Sequence, residues 1–77
     1  MYALILIRYR RPLEEIVAAT EAHRGYLREL QAAGTLLASG PFDPRTGAAV
    51  LLRVPEDDPG ALDRIRNADP FFQAGLA

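Results

Sequence analysis

The apolar positions of this chain fall into blocks punctuated by proline, glycine and aspartate. Tyr2-Ala3-Leu4-Ile5-Leu6-Ile7 opens it, and residues 2–9, rich in Ile, Leu and Tyr, predict a first strand. Pro12 suits the first turn of a helix, where its missing N–H costs nothing. Glu14 and Glu15 follow in the turn where the helix dipole favours negative charge. Helical periodicity runs to Ala33, with Gly34 as the residue just past the end. Thr20 is placed to cap a second helix from Glu21, so this stretch reads either as one helix or as two. Residues 35–40 and 48–54 predict two further strands. The turn-forming Pro41-Phe42-Asp43-Pro44-Arg45-Thr46-Gly47 joins them most simply into an antiparallel hairpin. Asp58-Pro59 reads as the cap and first residue of a helix to about Ala68. Asp69-Pro70 repeats the signal before one short turn through Gly75.

The resulting order, βαββα, is the ferredoxin-like α+β arrangement short of its last strand. That strand would pair with the first one, so an open edge is expected along residues 2–9. In an isolated domain of this kind one sheet face meets helices and the other meets water, and the strands alternate accordingly. Here they do not. Ala3, Ile5, Ile7 and Tyr9 share one face of the first strand, but Tyr2, Leu4 and Leu6 share the other with Arg8. The third strand sets Ala48, Val50, Leu52 and Val54 against Ala49, Leu51 and Arg53. Two faces that both need cover, with helices for only one, predict a second copy packed sheet to sheet. The chain is then expected to be a homodimer or a higher assembly.

Composition sharpens that expectation. The chain is a single domain, residues 1–77, with 49% hydrophobic residues and no cysteine. Chains of this size usually need disulfides, a metal or oligomerisation to be stable, and the first is excluded. With one histidine and no cysteine, a structural zinc site is nearly excluded as well. A net charge of −1 gives no electrostatic footprint for nucleic acid. No apolar run reaches the ~18 residues of a membrane span. No basic segment precedes the first apolar run, so a signal peptide is not expected and a cytoplasmic location is. All nine cations are arginine.

Few residues carry candidate chemistry. His23 is the single histidine, and on a helix it shares a face with Tyr26, Leu27 and Leu30, which directs it toward the sheet. Free imidazole exchanges protons near neutrality, although a lone histidine on an apolar face is more often structural than catalytic. Asp69 is first a helix cap, but a carboxylate has about four acceptor sites. One oxygen can cap residues 71–72 while the other receives the His23 N–H. Ser39, ending the second strand, lacks the G-x-S-x-G elbow of a nucleophile and reads as a pocket-lining hydroxyl. Arg8, sharing a face with Leu4 and Leu6, could hold a substrate carboxylate. Tyr26, Phe42, Phe71 and Phe72 read as core or pocket wall. There is no phosphate loop, metal-ligand cluster or cofactor fingerprint, so no cofactor is expected.

These pieces together resemble the YCII-related (YciI-like) family. The matching segments are the aliphatic first strand, His23 with Tyr26-Leu27 and Leu30, Gly34-Thr35-Leu36-Leu37-Ala38-Ser39-Gly40-Pro41, and Ala68-Asp69-Pro70-Phe71-Phe72-Gln73-Ala74-Gly75-Leu76. The resemblance implies a ferredoxin-like subunit pairing into a dimeric α+β barrel. It implies that His23 and Asp69 form the candidate active-site pair, with Ser39 near that pocket. Some relatives are lyases that remove HCl from ring compounds, and others resemble muconolactone isomerase in fold. Members usually continue past the Gly-Leu pair into a final strand, whereas this sequence stops at Ala77. The leading expectation is a cofactor-free lyase or isomerase. His23 would be its general base or acid, Asp69 its orienting partner, and Ser39, Arg8 and Tyr26 would contact a small polar or ring-acid metabolite. The alternatives are a non-catalytic dimeric metabolite-binding module and a cofactor-free oxygenase of the dimeric-barrel class.

Overall fold

A computed structural model describes residues 1–77. Its elements are β1 (Tyr2–Arg8), α1 (Leu13–Ala32), β2 (Leu36–Pro41), β3 (Gly47–Arg53), α2 (Ala61–Ala68) and α3 (Pro70–Gln73). The sheet is antiparallel in the order β1-β3-β2, and the helices cover one of its faces. This is the expected ferredoxin-like α+β arrangement. β1 has β3 on one side and no strand on the other. Past α3, the Leu76 carbonyl accepts the Arg10 N–H at 2.8 Å beside the end of β1. No helix is long and apolar enough to cross a membrane.

α1 is one helix, not two. Thr20 caps nothing: its hydroxyl donates back to the Ile16 carbonyl at 2.8 Å, the bond a mid-helix threonine makes with the preceding turn. The helix survives there because its buried residues, Ile16 and His23, lie on one continuous stripe that needs both halves in line. Gly34, at φ +79°, takes the left-handed conformation that ends the helix, as its position foretold.

Asp58-Pro59 does not begin α2. The helix starts at Ala61, and the Asp58 carboxylate bonds the Arg64 guanidinium instead of capping. That bond holds the Asp58 carboxyl below its ordinary range. Asp69-Pro70 behaves as read: the Asp69 side chain accepts the Phe71 N–H at 3.0 Å. Asp69 also ends α2, its own N–H bonding the Arg66 carbonyl at 3.1 Å. Its backbone is therefore held from both sides.

The inner sheet face is set by register. Ala3, Ile5 and Ile7 lie opposite Leu52, Val50 and Ala48, and Leu27, Leu30, Leu62 and Ile65 pack onto them from the helices. Ile16, Phe71 and Leu76 form a second core cluster. Gly47 lies where β3 meets β1, and a β-carbon there would sit 1.9 Å from the Ile7 carbonyl oxygen, so only glycine lets the strands close. On the outer face the side chains stand bare: Tyr2 is 70% exposed, Leu4 59%, Leu6 62% and Leu51 37%. The doubly apolar strands thus leave half of their pattern uncovered within one chain.

β2 departs from a regular hairpin in a way that matters for the site. Leu36 faces Leu52, but Ala38 faces Leu51 and Ser39 faces Val50, so a bulge at Leu37 adds one residue. Strict alternation from Leu36 would have turned Ala38 inward and Ser39 outward. The extra residue reverses the faces, and Ser39 joins the inner side.

Candidate active site

His23 is buried, at 6% exposure, midway along α1. Its Nδ1 lies 2.7 Å from Asp69 Oδ1, across 46 residues of sequence. An ionised carboxylate can only accept, so Nδ1 is assigned as the donor; this leaves Nε2 with a free lone pair in the neutral ring. The imidazole lies flat on Phe71, with centroids 4.0 Å apart and planes at 8°. Tyr9 meets the Phe71 ring edge-on at 5.9 Å. One short segment, Asp69-Pro70-Phe71, thus supplies both the carboxylate that orients the imidazole and the surface on which it rests.

The sequence suggested that one oxygen of Asp69 would cap and the other would pair. In the structure Oδ1 does both, accepting from His23 and from the Phe71 N–H. The two donors converge because Phe71 lies beneath the His23 ring, which brings its N–H and Nδ1 to the same side of the carboxylate. The cap therefore fixes the oxygen that the histidine uses.

His23 borders a cavity of about 280 Å³, walled by Tyr9, Thr20, Arg24, Leu27, Phe71 and residues of the β2–β3 hairpin, Ser39 and Arg45 among them. Ser39 is brought to the histidine's cavity by the bulge. Arg8 and Tyr26 are not among its walls. Arg8 follows Leu6 on the outer register, opposite Gly47. Tyr26 donates its hydroxyl to the Ile65 carbonyl at 2.9 Å, tying α1 to α2. Burial, with added repulsion from Asp69 and Glu29, raises the Tyr26 phenol above its ordinary value, so it remains a donor through the neutral range. Arg8 and Tyr26 instead border a second, mostly apolar cavity of about 190 Å³, which Asp69 also touches. The two cavities share Leu27 and Val50 as wall.

Three polar wall residues escaped the sequence reading: Thr20, Arg24 and Arg45. Thr20 precedes His23 by three positions on the same helical face, which is a usable signal. Arg24 follows His23 directly and reads as solvated. Arg45 lies in a turn whose course no local pattern reveals. No group of three or more His, Cys, Asp or Glu side chains is placed to hold a metal ion.

A ferredoxin-like α+β fold carrying a buried His–carboxylate pair beside a small cavity is the class of molecule defined so far. The chain belongs to the YCII-related domain family, whose pattern matches residues 1–77. Among curated proteins none matches it significantly. Among solved structures it is similar to 5-chloro-2-hydroxyhydroquinone dehydrochlorinase from Burkholderia phenoliruptrix, in complex with 2,5-dihydroxybenzoquinone. The TM-score is 0.82 at 27% identity, over 99% of this chain and 84% of that one. Family and neighbour together mark it as a small enzyme-like protein.

Proposed function

We propose that the chain is a cofactor-free enzyme of lyase or isomerase type acting on a small polar or ring-acid metabolite. The observation that carries this reading is the 2.7 Å contact between His23 Nδ1 and Asp69 Oδ1 in a residue pair bordering a cavity. His23 Nε2 takes a proton from a substrate carbon or hydroxyl. In an elimination the released electron pair forms a new double bond as the leaving group departs with the pair of its bond, and His23 then gives its proton to solvent. In an isomerisation the pair moves the double bond along the ring, and His23 returns the proton to the carbon at its far end. Asp69 holds the tautomer that presents Nε2 and stabilises the imidazolium that forms. Ser39 offers a hydroxyl to an oxygen of the ligand. The dehydrochlorinase neighbour supports this direction, since loss of HCl needs a base and a departing chloride and no cofactor.

His23→Ala is expected to lower turnover by about 10²–10⁴-fold, the usual worth of a positioned acid–base group. The assay is a panel of lactones and halogenated ring acids. Turnover of any panel member that is unchanged in the variant, with the fold intact by circular dichroism, would remove His23 from the chemistry. Binding that depends on His23 with no product formed would favour the metabolite-binding alternative.

The working form in this reading is a homodimer joined through the outer sheet face. Tyr2, Leu4, Leu6 and Leu51 stand exposed there, the two flanking charges, Arg8 and Arg53, sit at opposite ends of the strands, and the centre carries no charge. An uncharged sheet face fits another sheet, which can pack against it at about 10 Å. A second copy supplies such a face with matching dimensions. Leu6→Glu is expected to convert a dimer to a monomer in sedimentation equilibrium. A parent chain that sediments as a monomer at every concentration sinks the dimer.

A further inference from the structure

The arginines of this chain divide into two groups. Arg11, Arg28, Arg64 and Arg66 each have a carboxylate partner, in Glu15, Glu21, Asp58 and Asp63. Arg8, Arg10, Arg24, Arg45 and Arg53 have none, and of these five Arg24 and Arg45 border the His23 cavity. They reach it from different elements, Arg24 from α1 and Arg45 from the β2–β3 connection. Arg45 is steadied on the way: its Nη2 donates to Thr20 Oγ1 at 3.3 Å, and that hydroxyl is itself anchored to the Ile16 carbonyl. No Asp or Glu is among the cavity walls. A chain with net charge −1 therefore has a cavity bordered by two unneutralised guanidinium groups.

We infer that Arg24 and Arg45 form an anion clamp, and that the ligand of the His23 cavity is a compact monocyclic organic anion. The inference rests on the reading of that cavity as the ligand site and adds the charge and size of what enters it. A guanidinium presents paired N–H donors that match a carboxylate or an enolate oxygen. Two of them, neither bonded to a carboxylate, make the cavity attractive to negative charge, the Asp69 carboxylate being set behind His23 and bonded to it. The space, about 280 Å³, falls just under the ~300–1,000 Å³ typical of small-molecule sites, which suits a ligand of one ring. The Tyr9 and Phe71 side chains give the ring an apolar wall, and Ser39 gives one of its oxygens a hydroxyl donor. The arrangement binds the charged end at the arginines while the rest of the ring lies near His23.

The test uses benzoate and its neutral isostere benzamide, each titrated into the full chain while the His23 ring resonances are followed by NMR. Benzoate is expected to bind at least 10-fold more tightly than benzamide, and to weaken as salt is raised. The Arg24→Gln/Arg45→Gln double variant is expected to lose that preference, and Arg24→Lys/Arg45→Lys to keep part of it. Both sites are exposed, so the variants should fold, and circular dichroism checks this. Equal binding of the two probes, no binding of either, or an unchanged preference in the double Gln variant each overturns the clamp. Because the readout is binding, a charge preference that persists in a catalytically silent protein keeps the clamp and removes the enzyme, whereas turnover without charge preference does the reverse.

Discussion

Asp69→Asn is expected to fold as the parent does and to lose about 10²–10⁴-fold in turnover of any ring acid or lactone the parent accepts. The fold should survive because asparagine caps helices about as well as aspartate, and its amide oxygen can still accept the Phe71 N–H. The melting change should correspond to about 1 kcal/mol or less. What is removed is the negative charge 2.7 Å from His23 Nδ1. Without it the imidazolium formed when Nε2 takes a proton loses its counter-charge, while the amide oxygen that keeps the cap still accepts the Nδ1–H. A substrate-free measurement checks that geometry: nitrogen shifts of the neutral imidazole should report the Nδ1-protonated form in parent and variant alike, so that the lost turnover is assigned to the charge. A variant with parent-like turnover would show that Asp69 only caps.

The largest structural effect is expected at Phe71. Phe71→Ala should cost about 3–5 kcal/mol, the range for deleting a fully buried phenylalanine ring. Phe71 is 1% exposed, lies between Ile16 and Leu76 in the second core cluster, and carries the His23 ring and the edge of Tyr9. A domain of this size has roughly 5–15 kcal/mol in total, and each kcal/mol moves its melting temperature by about 4–8 °C. The variant should therefore melt far below the parent, or be partly unfolded at 25 °C. Its neighbour is the control. Phe72 is 42% exposed and stacks under the Arg66 guanidinium at 5.2 Å, so Phe72→Ala should cost well under half as much. Equal melting of the two variants in urea or heat would show that the cluster beneath His23 is not a supporting floor.

The two adjacent phenylalanines also show where a linear reading stops. Their identity and the Asp-Pro before them announce a helical turn with aromatic side chains. Which of the two is buried depends on where α3 docks against α1. The same division runs through the site. The stripe of Ile16, His23, Leu27 and Leu30 is local periodicity, so the inward orientation of the histidine was legible. Ser39 was recognised as a pocket residue, but its inward face depends on the bulge at Leu37, which alternation alone would have predicted in reverse. Arg8 had the more plausible pattern for holding an anion and faces away from the His23 cavity, whereas Arg24 and Arg45 had no pattern and border it. Thr20 and Asp58 carried good capping signals that other bonds overrode, because a hydroxyl or carboxylate takes whichever donor or acceptor the tertiary packing brings within reach.

Local chemistry therefore settled the element order, the ends of α1, the Asp69 cap and the doubly apolar strands. Those properties depend on backbone preferences and on periods of two and 3.6 residues, which neighbours in the chain carry among themselves. The tertiary structure alone decided that Asp69 meets His23 across 46 residues, that one oxygen serves both cap and imidazole, and that two unpaired arginines border one cavity. Such contacts join segments distant along the chain, and their distances are set by how the helices dock on the sheet.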